Sequence, residues 1–573
     1  MYKQCTNETF NERTWSRKEV KQKLQLFSMN FKTSYDSETR IWKSESVEQL
    51  FNPNKSIGAI ALYMLRSKPR NAVCQISDSE GTELTYGTAC SYAISVASYL
   101  KELGLGCDDV VGIVGQNTTL LMPVLVGCWI NGTPYNTLHP IHEEDDIRLL
   151  FALTKPKIIF CDGEAFQKIQ SATKMLNAPI YTLCNHLEGV PRIQDILQPV
   201  PLAELYQAAP LKYGANQTMA IIPSSGTTGK PKAVCRSNCK LLSEIGHTDG
   251  SSVLFSFSSP DWGTGILLIV ANVLCGGTRI ITTKPYTPEY LLEIITKYKV
   301  TNLTGSPNQF GDLAQLPGYT AEAMSSVRVI VMGGCHALSS VQTNIRAKLT
   351  HGVLVNSYGT SEIGGISLNY SDYKVDTVGR LWGGAQLKIK ERVPDDVQKL
   401  MGPNKKGEIW VYTPTSWMGY YNNPEATADI MDADGWINTG DIGYMDDEGF
   451  LHLVDRSKDI LKYMGFHYSP HEIEETIVSL PDVLDACVFG VYDDKEGDLA
   501  GAAVVIKPGS TLTESDITSF LTEKLVVKYK QLNYGVFFVD TIARNSNGKL
   551  LRAKMKEICL EINKERGSKV LQR

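Results

Sequence analysis

A run of hydroxyl, glycine and lysine side chains follows a short apolar stretch near residue 220. The apolar stretch, Ile221-Ile222-Pro223, is typical of a β-strand. Glycines allow backbone N–H groups to approach an oxyanion closely, hydroxyls donate hydrogen bonds to it, and ammonium groups supply positive charge. The run therefore has the chemistry of a polyphosphate-binding loop. The residues that we expect to contact phosphate are Ser224, Ser225, Gly226, Thr227, Thr228, Gly229 and Lys232.

The spacing within this loop differs from that of the P-loop of nucleotide hydrolases. That motif reads Gly-x-x-x-x-Gly-Lys-Ser/Thr and opens a helix. Here two residues separate Gly226 from Gly229, and Pro231 follows Lys230. An ordinary Ser/Gly-rich surface turn is the alternative interpretation, and other parts of the chain are needed to decide between the two.

Short apolar segments alternate with longer helical patterns over most of the chain, and these elements must position the loop. The alternation indicates layered α/β structure, and continuous apolar runs are typical of buried parallel strands. The predicted strands are 110–114, 158–161, 329–332 and 352–355, and the predicted helices include 88–103 and 288–298.

The sequence pattern changes after about residue 385. Beyond that point, segments 407–411 and 450–454 are predicted to be antiparallel strands. A small α+β unit begins near Asp459. Ser469-Pro470-His471-Glu472 has the pattern of a helix capping box, with serine at the N-cap and glutamate three residues later. The predicted fold class is α/β, with a large N-terminal domain of layered α/β subdomains plus a β-subdomain, residues 1–457, and a small mobile C-terminal domain, residues 458–573.

Composition excludes several classes of protein. The length of 573 residues allows about two to four domains. Lysine and arginine number 57 against 62 acidic residues, a formal net charge of −5, so we expect no nucleic-acid partner. No uninterrupted apolar run is long enough for a membrane span. The 13 cysteines are an odd number without metal-site spacing, which favours free thiols in a reducing, intracellular compartment.

Two intracellular compartments are compatible with free thiols. The cytoplasm is the favoured location. The chain ends Val570-Leu571-Gln572-Arg573 and lacks the Ser-Lys-Leu peroxisomal signal, although a peroxisomal location stays open. The sequence does not indicate the oligomeric state.

Four further stretches occur in a fixed order after the phosphate loop. They are Asn356-Ser357-Tyr358-Gly359-Thr360-Ser361-Glu362, Gly435–Asp441, Asp455–Gly465 and Asn545-Ser546-Asn547-Gly548-Lys549. In order and spacing these motifs resemble those of the adenylate-forming, AMP-binding superfamily. The segment Gly419–Thr427 is most similar to 4-coumarate–CoA ligases and insect luciferases, and the resemblance extends over nearly the whole chain after the first forty or so residues.

The resemblance implies a two-step reaction. A carboxylic acid reacts with ATP to give an acyl-adenylate and pyrophosphate, and the thiol of CoA then attacks the acyl carbon. The first step brings two anions together, so cations and preorganised hydrogen-bond donors must stabilise it. The implied cofactors are ATP, Mg²⁺ and CoA as co-substrate, and the implied partners are small molecules.

The resemblance also implies a role for individual residues. The hydroxyl of Ser361 replaces the family's usual threonine near the α-phosphate, and Glu362 matches the glutamate associated with Mg²⁺. Lys549 matches the lysine that bridges the acid and the α-phosphate, and Lys458 matches the hinge between domains. The remaining nucleotide positions are Gly333, Gly334, Cys335 and Tyr358 around adenine, Gly359 beside them, and Asp441 and Arg456 at the ribose.

Two further sets of residues follow from the resemblance. Gly465 and Lys462 correspond to the path of CoA in the thioester step. Trp262, Gly364 and Gly365 are the expected acid-pocket residues, with small residues leaving room for an aliphatic chain.

Taken singly, several of these residues have ordinary structural explanations. Asp441 and Arg456 could be surface charges, and Glu362 could complement a helix dipole. Gly465 could be a turn glycine and Lys549 a hairpin lysine. The joint occurrence of the motifs favours the functional interpretation.

The acid-binding region departs from the family pattern. Segment 258–265 lacks the histidine-rich sequence of luciferases, and Cys235-Arg236-Ser237-Asn238 lacks the usual histidine after the phosphate loop. The predicted function is an ATP-dependent acid–CoA ligase acting on a medium- or long-chain fatty acid. The alternatives are an aromatic, coumarate-like acid–CoA ligase, a luciferase-like monooxygenase, and a non-catalytic nucleotide-binding paralogue.

Overall fold

The computed structural model describes residues 32–570, except for a set of short internal segments. The residues outside the description are 48, 225–230, 245–247, 336, 350, 371, 392–398, 416, 457–458, 465 and 546–548.

The largest sheet has nine strands and confirms the predicted α/β layering. Its middle strands run parallel, and antiparallel pairs form both edges. Predicted strands 329–332 and 352–355 are its adjacent parallel strands Val329–Gly333 and Val353–Thr360. The order across the sheet is Arg380–Leu381, Gly364–Asn369, Val353–Thr360, Val329–Gly333, Asn302–Gly305, Val253–Phe255, Thr278–Ile281, Val73–Ser77 and Thr82–Thr85.

A second sheet has six strands and carries the phosphate-loop segment. Predicted strands 110–114 and 158–161 are confirmed as the parallel pair Val111–Val114 and Ile158–Cys161, both fully buried. The order is Lys232–Ser237, Thr218–Ser224, Tyr135–Leu138, Val111–Val114, Ile158–Cys161 and Ile180–Thr182.

The third sheet is antiparallel, as predicted for segments 407–411 and 450–454. It includes the N-terminal hairpin of Thr33–Asp36 and Ile41–Ser44, which pairs with a strand that begins after residue 385. The path is Thr33–Asp36, Ile41–Ser44, Gln386–Lys390, Gly407–Tyr412, Ile437–Met445 and Leu451–Arg456, with Leu400–Met401 beside Gln386–Lys390.

The fourth sheet belongs to the small C-terminal unit. Its long hairpin, Val483–Asp493 with Gly497–Ile506, has one parallel neighbour, Gly535–Phe538. The remaining strands are Leu461–Tyr463 and Phe466–Tyr468.

One detail of the predicted helix cap at Ser469 is wrong. Ser469 is the N-cap of helix Pro470–Val478, but its hydroxyl accepts from the N–H of His471, at the second helical position. Glu472 does not complete a capping box, because its carboxylate pairs with Lys530 at 2.6 Å. A long-range ion pair thus replaces the local hydrogen bond.

Helices cover the sheets and begin where the sequence supplies caps. Pro288–Tyr298 matches its predicted bounds, because the Thr287 hydroxyl caps it and proline occupies its first turn. The α-helices are Ile57–Ser67, Tyr86–Glu102, Leu121–Asn131, Glu144–Thr154, Phe166–Thr173, Asn238–Ser243, Gly263–Cys275, Pro288–Tyr298, Pro307–Gln315, Ser339–Lys348, Pro424–Ala428, Pro470–Val478, Glu514–Lys524 and Arg552–Val570.

Buried apolar side chains form separate clusters in the two parts of the chain. The clusters before residue 457 and those after residue 459 share no member among the described residues. Each part therefore has a hydrophobic core of its own, which is the property of a domain. In the part of the chain that the structure describes, none of the helices combines the length and apolar character needed to traverse a bilayer.

Asp162 is a buried carboxylate at the end of strand Ile158–Cys161 and is 4% exposed. One of its oxygens accepts a 2.8 Å hydrogen bond from the N–H of Gln116. Burial raises the pKa of Asp162 from 3.8 to about 6, because the charged form is poorly solvated there. A raised pKa means that this group contributes stability at low pH, and that the contribution is lost as pH rises through about 6.

We expect Asp162→Asn to remove this pH dependence while keeping an acceptor for Gln116. Relative to the wild type, the variant's free energy of unfolding should rise by about 2 kcal/mol between pH 4 and pH 7, measured by urea denaturation. Asp434→Asn, at an exposed turn, is the control and should follow the wild type. An Asp162→Asn profile parallel to that of the wild type would contradict this assignment.

Candidate active site

A cavity of about 750 Å³ opens at the carboxyl ends of the central parallel strands of the nine-stranded sheet. Ligands in open α/β sheets typically bind at this edge, since backbone groups and loops converge there. The strand-end residues that line it are Thr304, Gly305, Gly333, Gly334, Ser357, Gly359 and Thr360.

The two arms of the predicted phosphate loop meet at the cavity. Ser224 ends strand Thr218–Ser224, Lys232 begins strand Lys232–Ser237, and the two residues are directly paired across these strands. Both line the cavity. The predicted contacts Ser225, Gly226, Thr227, Thr228 and Gly229 lie outside the described residues, so their roles stay predictions.

Glu362 lines the same cavity and is oriented by Tyr420. The Tyr420 hydroxyl donates a 2.8 Å hydrogen bond to Glu362 Oε1. The ring of Tyr420 also lies 4.7 Å from Lys232 Nζ, a cation–π distance. Burial first, and then the neighbouring Glu362 charge, raise the pKa of Tyr420 well above its usual range, so it remains a donor. The sequence motif contained Tyr420, but nothing in it indicated this contact.

Glu362 is suited to a cation whose other ligands come from the substrate. No group of three or more His, Cys, Asp or Glu side chains arranged for a metal occurs among the described residues. Mg²⁺ is typically held by one or two carboxylates together with phosphate oxygens and water. A single oriented carboxylate beside a phosphate-type loop fits that requirement.

Asp441 contacts two of the other predicted nucleotide residues, Tyr358 and Arg456. It is 8% exposed, and its Oδ2 accepts a 2.7 Å hydrogen bond from the Tyr358 hydroxyl. Arg456 Nε lies 3.3 Å from its Oδ1, across paired strands. Burial raises the pKa of Asp441, whereas Arg456, Tyr358 and Lys549 oppose the increase. Arg456 and Tyr358 therefore offset part of the cost of burying this carboxylate.

Tyr358, predicted to lie around adenine, is buried beside the cavity. Its side chain is 7% exposed and its hydroxyl is engaged by Asp441, and neither residue is part of the cavity lining, which here includes Arg456, Thr439 and Gly440. Cys335 lies outside the lining too, where its sulfur accepts from Asn308 at 3.8 Å. Burial raises the pKa of the Cys335 thiol to about 11, so it stays protonated at neutral pH.

Among its described residues, the small C-terminal unit contributes Lys549 to the cavity. Lys549 lines it together with Arg456, and its backbone N–H donates to the Asn545 side chain at 2.9 Å. Lys462 is exposed on strand Leu461–Tyr463 and does not line the cavity. Lys458 and Gly465 lie outside the described residues.

The two units also touch next to residues 457–458. The Ser469 hydroxyl donates a 2.5 Å hydrogen bond to Asp455 Oδ2, at the end of the last strand of the large unit. The same carboxylate oxygen lies 3.4 Å from the backbone nitrogen of His471, at the start of helix Pro470–Val478.

An apolar wall continues the cavity away from its polar end. Trp262 precedes helix Gly263–Cys275, and one face of that helix lines the cavity because residues three and four apart lie on the same side. Val331 and Val355 are paired on neighbouring strands, two residues before Gly333 and Ser357. The helix and its surroundings contribute Thr264, Leu267, Leu268, Ala271, Leu254 and Leu368.

Gly364 and Gly365 both line the cavity, but they differ in environment. Gly364 has a φ of +79°, and a Cβ placed there would overlap the Glu244 carboxylate. The space beside Gly364 is thus filled by Glu244 rather than left open. A Cβ on Gly365 would contact only the Trp382 ring, at 3.5 Å.

The sequence of this chain is similar to the sequences of known proteins. The AMP-binding enzyme family matches residues 65–421, and the AMP-binding enzyme C-terminal domain matches residues 472–549. The 4-coumarate–CoA ligase 3 of Oryza sativa subsp. japonica is 29% identical over 84% of this chain and 88% of its own length. The peroxisomal OPC-8:0-CoA ligase 1 of Arabidopsis thaliana is 27% identical over 94% of this chain and 100% of its own length.

A solved structure shares the fold. The ATP-bound MatB from Rhodopseudomonas palustris aligns with a TM-score of 0.76 at 24% identity, over 89% of this chain and 99% of its own. The family match covers more than half of the chain, and the small C-terminal unit is the domain expected to follow it. The resemblance inferred from the motifs is therefore confirmed: this chain belongs to the AMP-binding enzyme family, within the adenylate-forming superfamily.

Proposed function

We propose that this protein is an ATP-dependent acid–CoA ligase that activates a medium- or long-chain aliphatic carboxylic acid. The observation that carries the proposal is one cavity with a polar end at the strand termini and an apolar wall running back along the strands. Val329, Val331 and Gly333 alternate along one strand and all line it. From Val329 to Gly333 the strand advances about 13 Å, a depth suited to an extended acyl chain.

The polar end supplies what the adenylation step requires. Lys232 and Lys549 would face the triphosphate and the reacting carboxylate, and Glu362 would hold Mg²⁺ through its oriented carboxylate. Mg²⁺ neutralises charge on the phosphates when it is bound. The role of the protein is to hold these cations where repulsion between the acid and the α-phosphate is greatest.

The position of the small domain supports the proposed order of events. Lys549 lines the cavity, whereas Lys462 on the same domain lies outside it. We assign this arrangement to adenylation. Residues 458–573 would then rotate about Lys458 to bring Lys462 and Gly465 toward the site for the CoA step, and the closed cavity would protect the adenylate from water.

An aromatic acid is the second candidate substrate. Trp262, Trp382 and Tyr370 line the same cavity and offer ring faces to a planar acid. The similarity to a 4-coumarate–CoA ligase supports this alternative. The aliphatic residues outnumber the aromatic ones along the wall, which is why we favour a fatty acid.

A panel of acids tests the proposed substrate. Pyrophosphate release with ATP should be fastest with saturated acids of medium or long chain, slower with 4-coumaric acid, and followed by acyl-CoA formation when CoA is present. Ala271→Phe would fill the apolar wall and should shift the preference toward shorter acids while retaining activity with them. Faster release with 4-coumaric acid would favour the second candidate, and ATP binding without turnover of any acid would favour a non-catalytic protein.

Lys549→Ala tests the lysine at the cavity. Because its charge is required where the transition state is most negative, pyrophosphate release should fall by about 10²–10³-fold. The ATP dissociation constant, measured by calorimetry, should change little. Lys554→Ala, an exposed lysine on helix Arg552–Val570, is the matched control. Undiminished turnover in Lys549→Ala would remove this lysine from the mechanism.

Asp441→Asn tests the proposed ribose contact. Loss of the charged acceptor should weaken ATP binding by about tenfold or more. The variant should also lose discrimination between ATP and 2′-deoxy-ATP, which a contact to the ribose hydroxyl creates in the wild type. If the variant discriminates between the two nucleotides as strongly as the wild type does, Asp441 does not contact that hydroxyl.

A further inference from the structure

A buried group of charges adjoins the cavity and has no part in the proposed function. It consists of Arg236, Lys240 and Glu244, here called the Arg236 cluster, whose side chains are 3%, 8% and 4% exposed. Arg236 pairs closely with Glu244 through Nη2, and Lys240 Nζ lies 3.4 Å from Glu244 Oε1. Arg236 and Glu244 are both part of the cavity lining.

Arg236 connects this cluster to the turn that carries Ser361 and Glu362. Its second terminal nitrogen, Nη1, donates a 3.1 Å hydrogen bond to the backbone carbonyl of Ser361. A guanidinium group is planar, so its two terminal nitrogens hold their partners in a fixed relation. The position of the Ser361 carbonyl is therefore tied to that of the Glu244 carboxylate.

The other end of the same turn also rests on the cluster. A Cβ at Gly364 would overlap the Glu244 carboxylate and approach Lys240, so the Gly364 backbone packs directly against them. Within the turn, the N–H of Ile363 donates to the Thr360 hydroxyl at 3.1 Å. Glu362 thus lies between two points that are fixed on one buried group.

The cluster is not a favourable way to gain stability. Among the described residues, Arg236 Nε is buried without a hydrogen-bond partner, and Glu244 Oε1 has the 3.4 Å ion pair with Lys240 but no hydrogen bond of good geometry. An apolar pair of similar volume is often at least as stable as a buried ion pair. The geometric restraint on the turn is a better explanation for these charges than stability.

We propose that Arg236, held by Glu244, is a positioning residue that fixes Ser361 and Glu362 relative to the triphosphate and Mg²⁺. The inference rests on the proposed function, because it takes Glu362 as the residue that holds Mg²⁺. Arg236 acts through the backbone of Ser361. Its loss should therefore impair the use of Mg²⁺ more than the binding of ATP itself.

The variant Arg236→Met tests this role, because Lys240 remains as a charge partner for the buried Glu244 carboxylate. We would measure the ATP dissociation constant by calorimetry in EDTA and in excess Mg²⁺. The Arg236→Met variant should bind ATP in EDTA as the wild type does. Its gain in affinity on addition of Mg²⁺ should be at least about tenfold smaller than that of the wild type, with a similar thermal unfolding midpoint.

Lys240→Met is the matched control, because it removes a buried cation from the same cluster and leaves the Arg236–Ser361 hydrogen bond in place. The gain in ATP affinity that Mg²⁺ gives this variant should stay within about twofold of the wild-type gain. If Arg236→Met does not fold, Arg236→Lys replaces it. A lysine keeps a charge for Glu244 but lacks the fork that holds both partners, so the same loss is expected.

Three results would overturn the proposal: a full Mg²⁺ gain in the Arg236 variants, an equal loss in Lys240→Met, or a wild type whose ATP affinity does not depend on Mg²⁺. Failure of the proposed function gives a different result. A wild type that binds ATP more tightly with Mg²⁺ but activates no acid would remove the ligase assignment and leave the binding comparison intact.

Discussion

The arrangement of the cavity depends on one buried negative charge, that of Asp441. Its carboxylate accepts from Tyr358 of the nine-stranded sheet and lies beside Arg456 of the antiparallel sheet. Lys549 of the small C-terminal unit acts on the same charge electrostatically. An isolated carboxylate would be costly to bury, whereas three compensating groups make the burial possible. Residues from three parts of the chain thus meet around one buried carboxylate.

Sheet architecture explains why polar and apolar substrates can share one cavity. Lining residues two apart are Val329, Val331 and Gly333 on one strand and Val355, Ser357 and Gly359 on its neighbour, because alternate side chains of a strand point to the same face. The face is lined by valine early in each strand and by glycine or serine at its end. An apolar region and a polar region thus lie on one surface, and the strands set the distance between them.

How well a feature of this structure can be predicted from the sequence depends on how far apart its interacting residues lie along the chain. Strands 329–332 and 352–355 and helix 288–298 were predictable because continuous apolar runs and helix caps are local signals. The Tyr358 hydroxyl bond to Asp441 joins residues 83 positions apart. Arg236 reaches Ser361 across 125 positions, and nothing in the local pattern around either residue indicates a partner. The failed capping box at Ser469 has the same cause, since Lys530 competes for Glu472 from 58 positions away.

The hydrogen bond between Ser469 and Asp455 has a consequence for the timing of catalysis. It spans the segment that contains Lys458, and one carboxylate oxygen faces both the hydroxyl and the first turn of helix Pro470–Val478. A rotation of the small domain about that segment would break this contact. Under the proposed function, the contact would add to the barrier for leaving the arrangement in which Lys549 is at the cavity, and its strength would help to set how long an adenylate is kept before the thiol arrives.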